Sequence, residues 1–280
     1  MTTERVPLPR IEAIHPFRGF LGMLGVEMRV WFPWRVAMLT IAGLGIFATI
    51  YIPWQIAGVN QLGPLFLWSM ALWLIVILIS TISLSEGTVL GDIDRGTMSW
   101  LVAMPIGRPA IITAKAAAAA SGVGAAVFIT GGLLYPFYNM AAKRGITEFT
   151  VEELTEVTGS PIGHWGAYIS LPDAGTYLSM LFAIALLAAF LVALMILLGT
   201  SIRSRTAVFG LGLAAAAVLI VGWLVARETL AASPVGLVTA VAEGIQDRPV
   251  EVLTPATVTL ALSIAFVALA IWRFERRELS

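Results

Sequence analysis

The chain has 280 residues, 59% hydrophobic and 12% charged, with a mean hydropathy of +0.91. A soluble domain carries about a quarter charged residues, so the balance excludes a water-soluble globule and predicts an all-α polytopic membrane protein. Net charge is zero, which removes the electrostatic case for a nucleic-acid partner, and the absence of cysteine removes disulfides, thiolate metal sites and cysteine nucleophiles.

Residues 1–14, with Pro7 and Pro9, read as a disordered tail, and they lack the apolar core of a cleavable signal peptide. The first span is therefore expected to act as an uncleaved anchor. Over 15–35, Phe17, Phe20, Leu21, Leu24 and Met28 fall at helical spacing among Arg18, Glu27, Arg29 and Arg35. That segment is too charged to cross, and Trp31 and Trp34 suit the headgroup layer, so an interfacial helix is predicted. Spans follow at 36–53 and 64–85, the first ended by Pro53 and Trp54.

Residues 86–113 interrupt the apolar pattern with Glu86, Asp92, Asp94, Arg95 and Arg108, and Lys115 opens the next span. A charge at a helix centre opposes insertion by roughly 3 kcal/mol, so the three at 92, 94 and 95 together oppose it by about 10 kcal/mol. The segment is expected to be a turn-rich insert in water or at the membrane surface. The third span, 114–137, begins almost entirely as Ala and Gly, which predicts a face packed on protein: a neighbouring helix or a second subunit.

A long polar connection, 138–176, contains a capping box at Thr150 and Glu153 and a short acidic helix. Spans are predicted at 177–198 and 207–226, joined by the basic turn 201–206. The second long connection, 227–254, holds Ser233 as an N-cap before Pro234, then an apolar helix too short to span. The sixth span, 255–272, precedes a charged tail. Six spans place both termini on one side, and 13 of the 17 Lys and Arg residues fall on that side. The positive-inside bias makes it cytosolic, together with 86–113, and leaves 138–176 and 227–254 extracytoplasmic.

The spans carry no Asp, Glu, Lys or Arg well inside their apolar runs, which argues against an ion-coupled pump. There is no GxxxxGK[ST], HExxH or GxSxG, and His15 and His164 are far apart on opposite sides. No catalytic residue, bound cofactor or metal is predicted. One alternative stays open: Asp92-Ile93-Asp94 is a DxD, which on a turn could chelate a divalent cation in a membrane-embedded transferase of a sugar or lipid head group. A membrane scaffold is a further one.

The order of residues in the insert resembles the cytosolic loop of permease subunits of type-2 ABC (ATP-binding cassette) exporters. The pattern here runs Glu86, then Asp94-Arg95-Gly96-Thr97, then Met98, Trp100, Leu101 and Val102, then Met104-Pro105, Arg108 and Lys115. Glu27-Met28-Arg29 is similar to the elbow helix of that family, Ser233-Pro234 to its extracytoplasmic helix before the last span, and RFERREL to its basic ending. Asp92 is an additional acid, and 138–176 is longer than the family pattern. The resemblance implies an exporter permease of a prokaryotic inner membrane that works as a dimer with an identical or related permease. Two copies of a cytosolic ABC ATPase, holding ATP and Mg, would drive it. It implies that Glu86, Asp92, Asp94, Arg95, Gly96, Thr97, Met98, Leu101, Pro105 and Arg108 contact that ATPase, with residues from Thr97 onward forming a coupling helix. Asp94 and Arg95 would orient the partner by charge pairing.

Overall fold

A computed structural model describes residues 16–56, 62–148, 173–245 and 251–276, with side chains of 50–69 and 137–148 outside the description. The tail 1–14, both histidines, and the capping box and acidic helix near 150 lie outside the described residues. What is described is helical, and six of its helices are long and apolar enough to cross a membrane.

Helix α1 (Phe20–Val30) starts at Gly19, whose φ of +81° is the left-handed conformation that glycine adopts without strain. It continues through a π turn, Trp31–Arg35, into α2 (Val36–Ile56). Pro33 has no N–H to donate, and the ladder shifts so that the Val36 N–H reaches the Trp31 carbonyl five residues back. The interfacial segment expected over 15–35 is thus continuous with the first span. Trp31 is fully buried, and a Cβ on Gly122, far along the chain, would lie 2.9 Å from its ring.

Helix α3 (Leu62–Asp94) has 33 residues, about 50 Å at 1.5 Å per residue against the ~30 Å of a hydrocarbon core. It runs nine residues past Ser85, so Glu86, Asp92 and Asp94 lie on a helix instead of in a turn. The reason is a buried stripe of mixed chemistry. Ser85, Thr88 and Val89 keep the i, i+3, i+4 spacing and stay buried, although Ser, Thr, Gly and Glu lower the hydropathy there. The Thr81 and Thr88 hydroxyls donate to the Ile77 and Leu84 carbonyls at 2.6 and 3.4 Å, whereas the buried Ser85 hydroxyl finds no partner among the described residues. Gly96, at φ +71°, ends α3 with its N–H on the Ile93 carbonyl.

Helix α4 (Thr97–Ala103) follows at once, and extended Met104 closes it. Helix α5 (Arg108–Glu148) begins six residues before the expected start at 114 and continues helically past 137. Pro109 sits in its first turn, where no intrahelical N–H is lost. In its first half Ala110, Ala114, Ala116, Ala118, Ala119 and Gly122 are buried against the same chain, while Ala117 is exposed.

Helix α6 (Ala174–Ser201) is the centre of the bundle, packed against α3, α5, α7 (Arg205–Ala226), α8 (Pro234–Ile245) and α9 (Leu253–Arg276). More than half of its residues are buried, as befits a helix apolar on every side. Asp173 caps it, accepting the Thr176 N–H at 2.6 Å. Helix α8, capped by Ser233, is 12 residues long and packs its apolar face on α6, α7 and α9 without crossing the bundle. Helices α7 and α9 keep broad exposed faces, with Leu211, Val218 and Val225 on the first and Leu260 and Ile264 on the second.

Candidate functional site

The polar residues of the insert gather at one end of the bundle, and three links join five helix ends there. Lys115 of α5 donates to Glu27 Oε1 of α1 at 2.5 Å and, on its other side, to Asp92 Oδ2 in the last turn of α3. Asp94, also in that turn, accepts from Arg205 Nε at the start of α7 at 2.7 Å. Arg108 Nη1, at the start of α5, donates to the Glu275 carbonyl near the end of α9 at 3.1 Å. Residues 16–30, 92–108, 201–205 and 273–276 therefore share one end.

The first link is buried. The Lys115 side chain is 2% exposed, Glu27 10% and Asp92 23%. An isolated buried ammonium carries a desolvation cost of several kcal/mol, which only well-placed anions offset. Two carboxylates to one ammonium would leave an excess negative charge. Arg35 supplies the balance: its charge interacts with Glu27 and Asp92, and its guanidinium lies 4.6 Å from the centre of the Trp31 ring. Lys115, expected to open the third span, lies two turns inside its helix because α5 starts at Arg108, and it is buried there.

Both acids of the expected DxD already face cations. On a helix, residues two apart project to nearly opposite sides, so Asp92 turns inward to Lys115 and Asp94 outward to Arg205. Chelation by the two on one turn does not fit that backbone. Among the described residues no group of three or more His, Asp or Glu converges as a metal site.

Beyond these links, residues 95–107 form a hairpin between α3 and α5. Arg95, Gly96 and Thr97 are exposed, and the Thr97 hydroxyl donates to the Asp92 carbonyl at 3.1 Å. Met98 is buried in the bundle, and Leu101 and Val102 are half-buried against it. These three apolar residues, of which Met98 and Leu101 were expected to meet the ATPase, seat α4 on its own chain. Trp100 points the other way and is 64% exposed. Pro105 is exposed, Glu86 half-buried on α3. At the return, the Gly107 N–H donates to the Arg18 carbonyl at 3.2 Å, and a Cβ on Gly107 would overlap the Pro16 carbonyl oxygen. Only glycine fits that approach.

Sequence reasoning missed Glu27 and Lys115 as a pair, and Arg205 as the partner of Asp94. One signal was available: Glu27 sits between Met23 and Trp31 at four-residue spacing, an acid in an apolar stripe, which requires a cation opposite.

At the far end the Asp173 carboxyl is held below the usual carboxylate range, chiefly by the Thr176 backbone N–H. The arrangement as a whole is built of ion pairs and of hydrogen bonds to backbone carbonyls. It can hold a short helix rigidly at the bundle end with one face outward. The chain matches no protein-family model and no curated protein.

Proposed function

We propose that this chain is the transmembrane permease subunit of a type-2 ABC exporter, and that α4 is the coupling helix that receives motion from a separate cytosolic ATPase. One observation carries the reading. A seven-residue helix hangs between two long helices, its Met98 face sunk in the bundle and its Trp100 face open. An exposed tryptophan beside exposed Arg95 is the kind of anchor that concentrates binding energy at protein interfaces. The resemblance of Asp94-Arg95-Gly96-Thr97 and the residues after it to the family's loop supports the same assignment.

In this reading the end that holds α4 faces the cytosol of a prokaryotic cell, as the basic-residue bias requires. Helix α1 serves as the elbow helix. The contact set of the ATPase shifts from the expected one: Met98, Leu101 and Asp92 face inward, Arg95, Thr97 and Pro105 remain outward, and Trp100, outside the expected set, joins them. ATP and Mg belong to the ATPase. A second permease would meet this one on a surface other than the small-residue face of α5, which the chain's own helices occupy. The outward faces of α7 and α9, bearing Val218, Val225 and Ile264, are open to it or to lipid.

Affinity purification of the tagged chain from its own cell in mild detergent tests the proposal. The expected result is co-purification of an ATPase with a phosphate-binding loop. Reconstituted chain that moves cargo with no ATPase present would overturn it.

A further inference from the structure

Lys115 has the lowest exposure of any charged residue described. It contacts Glu27 and Asp92, so three helices meet at one ammonium. The positions matter more than the count. Asp92 is two residues from the end of α3, and Lys115 is two turns into α5. Residues 95–107 hang between these anchor points. The Lys115–Asp92 contact closes the base of that hairpin, and the contact with Glu27 extends the closure to α1. From α1 the helical backbone continues through the π turn into α2, the first span. The Thr97 hydroxyl on the Asp92 carbonyl ties α4 to the same turn.

Small apolar side chains could hold these three helices with less desolvation cost. A buried ion cluster adds a fixed register. Sliding any of the three helices by a residue leaves a buried charge without its partner, so the junction does not deform by degrees.

We propose that Lys115 is a positioning residue that clamps the 95–107 hairpin to α1, so that a displacement imposed on α4 reaches α1 and α2 instead of being absorbed at the hairpin's base. The source of that displacement rests on the permease reading. The clamp is a property of this chain and is tested without an ATPase.

The chain has no cysteine, so paired labels can be placed at will. Ala103→Cys with Leu21→Cys reports the α4–α1 distance, and Ala103→Cys with Glu275→Cys reports α4–α9; all three positions are exposed. Distances are read by pulsed electron paramagnetic resonance of the full chain in lipid nanodiscs. The first background is Glu27→Leu, which removes the α1 arm and leaves Lys115 paired with Asp92. The α4–α1 distribution is expected to lose its single narrow maximum, with α4–α9 unchanged. The second background, Glu27→Leu with Asp92→Asn and Lys115→Met, removes all three linked charges and leaves half-buried Arg35, over the Trp31 ring, as the remaining one. It is expected to fold and to show the same selective loss. An α4–α1 distribution as narrow as the parent's in either background overturns the clamp, and so does equal broadening of both pairs. Failure of the permease reading would appear separately, as absence of an ATPase from the purified parent, and would leave these distributions untouched.

Discussion

Helix α6 and the base of the 95–107 hairpin belong to one bundle and are held by opposite means. Helix α6 carries no charge, and its stability comes from many small contacts with α3, α5, α7, α8 and α9. Some are very close: a Cβ on Gly131 would lie 2.4 Å from Leu181, and one on Gly212 2.6 Å from the Met195 sulfur. Between apolar helices in lipid, such fit supplies dispersion energy, and each contact contributes a little. The hairpin base depends on a few groups, each of which must be present. Loss in the first region is graded; loss in the second is abrupt.

Lys115→Met should break the comparison most sharply. It leaves Glu27 and Asp92 facing each other in a buried site, and removing one partner from a buried ion cluster costs roughly 3–5 kcal/mol. Thermal unfolding of the purified variant in detergent should show the largest fall of any single substitution considered. A fall no larger than that of an apolar truncation on α6 would erase the distinction between the two regions.

Gly122→Leu probes the apolar mode where it meets the polar end, since Trp31 leaves no room for a side chain there. Overpacking of this kind costs typically 1–3 kcal/mol. The same unfolding measurement should place it below Lys115→Met. Asp94→Asn should cost less again. Its pair with Arg205 is about half exposed on both sides, and exposed pairs contribute about 0–1 kcal/mol. If Asp94→Asn proves as damaging as Lys115→Met, burial is not what separates these two neighbouring acids.

The α6 spans were readable by hydropathy alone because nothing on that helix conflicts with the average. At the polar end hydropathy failed for a physical reason. Between Ser85 and Asp94 the helical stripe persists, but Ser, Thr and Gly carry it and charges lie off it, so a windowed average places the boundary too early. Gly96 was a visible stop, and the Thr97–Ala103 helix follows directly from it. The stripe around Glu27 called for a cation, but which one was unreadable, because Lys115 lies 88 residues from Glu27 and 23 from Asp92 and periodicity carries no information across such separations. Asp92 and Asp94 look alike in sequence; only the helix beneath them sends one inward and one outward.

The smallest effect lies at the other end of the molecule. The depressed Asp173 carboxyl stabilises α6 fully above the ordinary aspartate value of about 3.9, and that contribution is lost as pH falls through the lower folded value. Asp173→Asn keeps an N-cap and removes the titration. Its unfolding temperature should therefore fall slightly less than the parent's between about pH 5 and pH 2. Identical acid slopes would mean that the cap does not contribute.

Retention of the ATPase by the Trp100→Ala chain tests the exporter assignment most directly. Trp100 is mostly exposed and its neighbour Met98 anchors α4, so the substitution should leave the unfolding temperature unchanged. The account predicts that ATPase recovered with the tagged chain drops at least about tenfold, as expected for loss of an interface anchor worth ~2 kcal/mol. Undiminished recovery with Trp100→Ala, in a chain that does retain an ATPase, would contradict it.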